Sequence, residues 1–278
     1  MGAVDAPLGT ERTPRVVAAR KLLRRAGRER AGRFLVEGAA PVREALSWSG
    51  TGPGRMHELF VTEVAAARHP ELLATARDAG VRIGPVTDKA AQSLSDTVSP
   101  QGLVAVCDVL DVPVADALRT RPGLVVVCAG IADPGNVGTV IRVADAAGAG
   151  AVLLAGDTVD PHNGKAVRAS TGSVFHLPLA RARDAVAVVD ACREAGLTLL
   201  VADSRGELEL YDPVMGGLLA GPLAWILGGE AHGVPATVSE RADHRVRVPI
   251  HGRAESLNLA TAAAVCLYAS VAARRSRI

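Results

Sequence analysis

The sequence predicts an α/β protein in two parts: a small mixed α/β unit, then an open, mostly parallel sheet. Three observations lead there. Strand-like and helical runs alternate along the chain. The runs LVVVCAG (124–130), AVLLAG (151–156) and LAWILGG (223–229) are apolar without alternation, as strands buried on both faces are. Between the halves, DVPVADALRTRPG (111–123) reads as a linker. A length of 278 residues suits one large or two modest domains.

In order, residues 14–33 read as one basic helix and RFLVEG as a strand ending at Gly38. Residues 39–47 are helical and 49–54 (SGTGPG) form a loop. HELFVT (57–62) is a strand, 63–79 a helix, VRIGPV (81–86) a strand, 88–96 a helix and GLVAVCDV (102–109) a strand. After the linker come the strand 124–130, the loop IADPGN, the helix VGTVIRVADAAGA and the strand 151–156. Residues 163–171 are a short helix, SVFHLPLA (173–180) a strand and 183–196 a helix. LTLLVAD (197–203), LAWILGG and HRVRVPI (244–250) are strands, and 255–275 closes as a long helix. The boundaries expected are a flexible N-terminus over 1–13, a first domain over 14–110, the linker over 111–123 and a second domain over 124–278. No internal repeat is present.

Composition narrows the class. Hydrophobic residues make up 49% and aromatics 3%, so the core is built from Ala, Val and Leu. The net charge of +2 excludes a simple polycation. No apolar run reaches the roughly 18 residues of a membrane span, and MGAVDAPLGTERTPR lacks an apolar signal core. Cys107, Cys128, Cys192 and Cys266 are widely spaced, without CxxC or nearby histidines. A cytoplasmic, reduced protein with buried thiols and no metal is therefore expected. Charge is uneven: Arg20, Lys21, Arg24, Arg25, Arg28 and Arg33 crowd one segment opposed there by Glu29. Such a cluster suits RNA phosphates, and equally a solvated helix face.

The glycine loops exclude several chemistries. GIADPGN (130–136) has P-loop glycine spacing, but Asn136-Val137 stands where Lys-Ser/Thr is needed. No G-x-G-x-x-G opens a helix after a strand, and no GxSxG elbow is present. Three other segments sit at strand ends or helix starts: DPGNVGTVIR (133–142), LGGEAHGVP (227–235) and VPIHGRAESLN (248–258). Ligands of open parallel sheets gather beyond the carboxyl ends of the strands, so the three converge on one site. There Asn136 reads as an N-cap, with Arg142 one or two turns on. Gly228 and Gly229 let a ligand approach the backbone, Glu230 supplies a carboxylate, and Ser256 and Asn258 frame an anion-favouring helix N-terminus. Read singly, Asn136 and Ser256 also fit ordinary caps, Gly228-Gly229 a tight strand exit, and Arg142 a surface pair with Asp133 or Asp145.

Taken together, the three segments resemble the motifs of the SpoU (TrmH-type) RNA ribose 2′-O-methyltransferases of the SPOUT class. Asn136, Gly138 and Arg142 match N-x-G-x-x-x-R. Gly228, Glu230 and Gly233 match G-x-E-x-x-G. Val248, Pro249, Gly252, Ser256, Leu257 and Asn258 match the third motif, with Val248 for the usual Ile. KAVRASTGSVFHLP (165–178) and RFLVEGAAPVREAL extend the resemblance over roughly 14–275.

The resemblance implies a C-terminal open parallel sheet tied in a deep trefoil knot, preceded by a small L30e-like substrate-binding domain, in a homodimer. It implies S-adenosylmethionine held by Ala202, Gly228, Gly229, Glu230, Val248, Ile250, Ser256 and Leu257. Catalysis falls to Arg142, Asn136, Glu230, Ser256 and Asn258. A guanidinium stays protonated at neutral pH, so Arg142 is expected to grip a phosphate and stabilise the forming alkoxide. Glu230 holds Arg142 or Asn136, while Asn136, Ser256 and Asn258 orient the hydroxyl. RNA is met by the basic segment and Arg168. The two-domain layout favours 23S ribosomal RNA as substrate. A tRNA substrate, a base methyltransferase of the same class, and an inert RNA-binding or ribosome-assembly protein stand as alternatives.

Overall fold

Two sheets organise the chain, of which the computed structural model describes residues 7–51 and 54–276. In chain order the first stretch runs α1 (Pro14–Arg20), α2 (Arg25–Ala31), β1 (Arg33–Glu37), α3 (Ala39–Thr51), β2 (Met56–Val61) and α4 (Glu63–Arg68). It continues with α5 (Pro70–Asp78), β3 (Arg82–Pro85), α6 (Asp88–Ser93) and β4 (Leu103–Asp108). The second stretch runs α7 (Val114–Leu118), β5 (Leu124–Ala129), α8 (Pro134–Ala146), β6 (Ala151–Ala155), α9 (Gly164–Ser170), β7 (Leu179–Ala182) and α10 (Ala185–Glu194). It ends with β8 (Thr198–Ala202), β9 (Leu208–Glu209), α11 (Met215–Ala220), β10 (Leu223–Gly228), α12 (Ala236–Ser239), β11 (His244–Arg247) and α13 (Leu259–Arg275). Residues 1–6 of the expected flexible N-terminus, residues 52–53 of the expected loop and Arg277 lie outside the described residues.

The first unit comprises residues 1–110 and 160–176. Its sheet has the order β1-β4-β2-β3, with β4 antiparallel to β1 and β2, and β3 parallel to β2. The chain is already tied down at Gly9, which accepts from Thr87 N–H and donates to the Pro85 carbonyl. The basic stretch 14–33 is not one helix. It bends through a 3-10 turn at Lys21–Leu23 and an extended Arg24 before α2 begins. Gly27 permits the bend, since a Cβ there would stand 1.9 Å from the Lys21 carbonyl oxygen.

Arg28 explains what the bend achieves. Its guanidinium donates to the freed carbonyls of Leu22 (3.0 Å) and Leu23 (3.1 Å) and pairs with Asp160 at 2.7 Å. It is only 4% exposed, so the expectation that it meets RNA is overturned. An arginine aimed at solvent would leave two carbonyls and a buried carboxylate unpaired. Burial raises the Asp160 carboxyl, but hydrogen bonds from His162 and the charge of Arg28 outweigh it and hold it well below the ordinary 3.8.

The segment 160–176 is anchored throughout this unit. His162 Nε2 accepts from Leu110 N–H at 3.0 Å and its ring packs on Phe34. Phe175 packs against Phe34 and Trp48. The strand expected over 173–180 is instead a 3-10 turn at Ser173–Phe175 followed by β7. The helix expected over 63–79 breaks at His69, because a residue before proline is pushed out of helical conformation.

The second unit comprises residues 111–159 and 177–278. Its seven strands are all parallel in the order β7-β6-β5-β10-β8-β11-β9. β5, β6 and β10 are buried along their whole length, as their unbroken apolar runs require. The expected linker contains α7, and Asp111 bridges to Leu179 at the β7 edge. Trp225 is fully buried, and its indole N–H donates to Ser270 Oγ on α13 at 2.9 Å. All four cysteines are buried, and desolvation pushes Cys128, Cys192 and Cys266 up to about 12. β9, α11 and α12 are additions to the sequence reading.

Replacing Arg28 with alanine removes the cation beside the buried Asp160 carboxylate and leaves it with the His162 hydrogen bonds, and urea denaturation should register a loss of about 3–5 kcal/mol. The double change Arg28→Met with Asp160→Leu should cost far less. In the wild type the Asp160 pair contributes fully above the ordinary aspartate range, and its contribution is lost only as pH falls through the lowered folded value.

Candidate active site

The order of the second sheet sets the site. β5, β6 and β7 build outward in one direction, while β10, β8, β11 and β9 lie on the other side of β5. Crevices form at such a reversal, beyond the carboxyl ends of the strands. A cleft of about 750 Å³, within the range of small-molecule sites, opens on the β10 side of that reversal, beyond the carboxyl ends of β10, β8 and β11. Ala202 and Asp203 come from the end of β8, Leu227 to Glu230 from β10, and Val246 to His251 from β11. Glu255 to Leu259 and Ala262 come from the approach to α13 and its first turn.

The β10 exit makes a tight reversal. Gly233 N–H donates to the Gly229 carbonyl at 2.8 Å, and Gly233 takes φ +65°. A Cβ on Gly228 would lie 2.1 Å from the Gly233 carbonyl carbon, and one on Gly229 would lie 2.6 Å from the Gly130 oxygen. These two glycines are therefore required by the chain folding against itself. The expected reason, room for a ligand against the backbone, is not the one the packing imposes.

Helix α8 starts earlier than expected. Asp133 is its N-cap, accepting from Asn136 N–H at 2.9 Å, so Asn136 stands inside the first turn with its side chain free of capping. Helix α13 starts later, capped by Asn258, whose Oδ1 accepts from the N–H groups of Ala260 (2.9 Å) and Thr261 (3.3 Å). Ser256 lies ahead of that helix and is not its cap. The capping fixes which way the Asn258 amide points. Its Nδ2 donates to Asn136 Oδ1 at 3.3 Å, and Asn136 Nδ2 donates to Glu230 Oε1. One directed chain of hydrogen bonds thus joins the starts of α13 and α8 to the β10 exit, the three motif segments.

The structure brings Asn136, Glu230 and Asn258 together, with Ser256 on the same cleft. Ala202, Gly228, Gly229, Glu230, Val248, Ile250, Ser256 and Leu257 all line it. Arg142 does not. It is exposed two turns along α8 and forms no hydrogen bond or ion pair among the described residues. Of Glu230's two expected partners, the structure selects Asn136. Glu209, His251 and Glu255 also line the cleft without having been picked out. Glu209 sits on the two-residue β9, too short for a periodic signal.

In the first unit Arg20, Lys21, Arg24, Arg25 and Arg33 are exposed, Arg25 in a pair with Glu29. Arg168 is held by Asp96 at 2.5 Å and Glu37 at 3.4 Å, which spends its charge within the protein.

Comparison with known proteins places this geometry. Residues 123–268 match the SpoU rRNA Methylase family and residues 13–105 the MRM3-like substrate binding domain. The 23S rRNA (guanosine(2553)-2′-O)-methyltransferase RlmP of Bacillus subtilis is 34% identical over 249 residues, covering 90% of this chain and 92% of that protein. The 23S rRNA (uridine(2479)-2′-O)-methyltransferase of Streptomyces viridochromogenes is 33% identical, covering 90% and 86%. Among solved structures, the SpoU methyltransferase AviRb of Streptomyces viridochromogenes in complex with the cofactor AdoMet superposes with a TM-score of 0.80 at 31% identity, covering 95% and 99%. An AdoMet-bound rRNA methyltransferase from Sinorhizobium meliloti gives 0.79 at 29% identity, covering 95% of each chain.

Asn258→Ala removes both the cap and the donor to Asn136. It should lower unfolding free energy by about 1 kcal/mol in denaturant titration. Gly228→Ala should cost about 1–3 kcal/mol, since its Cβ meets backbone that cannot retreat.

Proposed function

Because the chain belongs to the SpoU rRNA methylase family, we propose that it transfers a methyl group from S-adenosylmethionine to a ribose 2′-hydroxyl of 23S ribosomal RNA. The observation that carries the reading is the directed Asn258–Asn136–Glu230 chain at the lip of a cofactor-sized cleft. The ribose assignment draws on the relatives: the named targets differ in base, guanosine in one and uridine in the other, and share the 2′-oxygen.

The cleft fits S-adenosylmethionine chemically. Leu227, Val246 and Leu259 give apolar walls for a purine ring, and Asp203, Glu209, Glu230 and Glu255 give carboxylates toward a cationic group. Ala202, Gly228, Gly229, Glu230, Val248, Ile250, Ser256 and Leu257 would hold it, and when bound it supplies a methyl group made electrophilic by the sulfonium. The residues of this chain do the rest. Glu230 fixes Asn136, and Asn136 with Ser256 and Asn258 orients the ribose hydroxyl toward the cleft. Arg142, with its charge unspent, holds the adjoining phosphate and stabilises the alkoxide as the hydroxyl proton passes to that phosphate and on to water.

The described α13 leaves Tyr268 exposed beside Thr261 and Ala272 on one stripe. A second copy covering it in a homodimer would bring another α8, and so another Arg142, to the neighbourhood of the site. We also propose the deep trefoil knot: β10 enters between the earlier strands β5 and β8, and β11 returns on the far side of β8. Residues 14–110 serve as the L30e-like RNA-binding domain, 111–123 as the linker and 124–278 as the knotted SPOUT methyltransferase domain. Phosphate contacts from Arg20, Lys21, Arg24, Arg25 and Arg33 position the RNA there. The protein works in the cytoplasm with ribosomal RNA; among the described residues no helix is long and apolar enough to cross a membrane.

Incubating total RNA with methyl-labelled cofactor should label 23S RNA, and reverse transcription at low dNTP should stop beside one modified ribose. Label in tRNA alone, or on a base, would overturn the reading. Arg142→Lys should lose most turnover while cofactor affinity, followed by calorimetry, stays unchanged.

A further inference from the structure

Apart from the cleft, the first unit carries a polar cavity of about 340 Å³ at one edge of its sheet. Arg33 reaches it from β1, His57 and Glu58 from β2, and Arg82 from β3. Register explains the grouping. Arg33 pairs with Asp108, while Glu58 pairs with Arg82 and, two residues along β4, with Val106, so the four strands bring these residues together from two neighbouring rows of one sheet face. The irregularity between Met56 and Glu58 lets His57 meet Asp108 of the first row.

The charges on this face are unevenly spent. Asp108 is fully used: Oδ1 meets His57 Nε2 at 2.5 Å and Oδ2 accepts from Arg55 N–H at 3.1 Å. Glu58 is buried and takes the guanidinium of Arg15 at 2.6 Å. Burial raises its carboxyl above the ordinary range, against the pull of Arg15 and Arg82. The two arginines are held more loosely. Arg33 comes no nearer than 3.9 Å to Asp108, and Arg82 is exposed with no hydrogen bond or ion pair among the described residues.

We propose that this cavity is a seat for the RNA sugar–phosphate backbone, with Arg82 and Arg33 as its phosphate contacts and His57 between them. The two arginines start three strand spacings apart, about 14 Å at the Cα level. That span exceeds the spacing of neighbouring phosphates, so it suits phosphates more than one nucleotide apart on a backbone and not one free phosphate ion. Asp108 holds His57 and Glu58 holds Arg15, and the outer guanidiniums face the ligand. The inference rests on RNA being the substrate, and it adds His57 and Arg82 to the surface that receives it.

The test is binding of the full chain to a 23S RNA fragment over a salt series. Arg82→Gln should weaken binding and make the log–log salt slope shallower by roughly 0.7–0.9, the loss of one phosphate contact. Arg33→Gln should do the same, and Arg82→Lys should restore the slope. Cofactor affinity and thermal melting should match the wild type. Unchanged slopes in both glutamine variants, beside a wild type that binds the fragment, overturn this seat alone. A wild type that binds no ribosomal RNA overturns the proposed substrate as well.

Discussion

The second unit depends on the placement of one strand. β10 is inserted between β5 and β8, both earlier in the chain, and pairs with each in parallel register. Its run is buried from Leu223 to Gly228, so the one polar side-chain group it carries, the Trp225 indole N–H, takes its partner from α13. Where it emerges, the chain must turn back at once, and Gly228, Gly229 and Gly233 allow a reversal in which neighbouring backbones nearly touch. Glu230 is carried on that turn. Its position opposite Asn136 follows from strand packing and not from any local preference of the loop.

Polarity at the site descends from a helix cap. The N–H groups of Ala260 and Thr261 need an acceptor, and Asn258 Oδ1 provides it. With the oxygen committed, the amide nitrogen faces Asn136, and the Asn136 nitrogen then faces Glu230. A pair of asparagines is suited to this because each carries a donor and an acceptor, so direction passes along the chain without charge. The carboxylate of Glu230 ends this series of hydrogen bonds, at the cleft.

The first unit shows charge used in two ways. Arg28, Arg168 and Arg15 lie in or near the basic surface expected from the sequence, yet each is consumed by a carboxylate of the protein. Arg28 and Asp160 stand 132 residues apart and are packed together inside one unit, which no local pattern announces. The excursion 160–176 follows β6 in sequence but buries His162 and Phe175 against Phe34. It belongs to the first core through its aromatic contacts.

Sequence alone determined the α/β class, the parallel character of the second sheet and the convergence of three motif segments. Each is a local property: unbroken apolar runs mark strands buried on both faces, and glycines and caps mark their ends. It also picked out Asn136 and Asn258, because a small polar residue at a helix start is conspicuous, and Glu230, as a carboxylate directly after a glycine pair at a strand end. Tertiary structure decided what those residues are bonded to. It gave the cap of α8 to Asp133, split the basic helix at Arg24, buried Arg28 and left Arg142 exposed off the cleft. These outcomes turn on which distant carboxylate or carbonyl a side chain reaches once the sheets have closed. Burial makes an unpaired polar group costly, so the partner brought within reach, and not the residue's own type, sets its role.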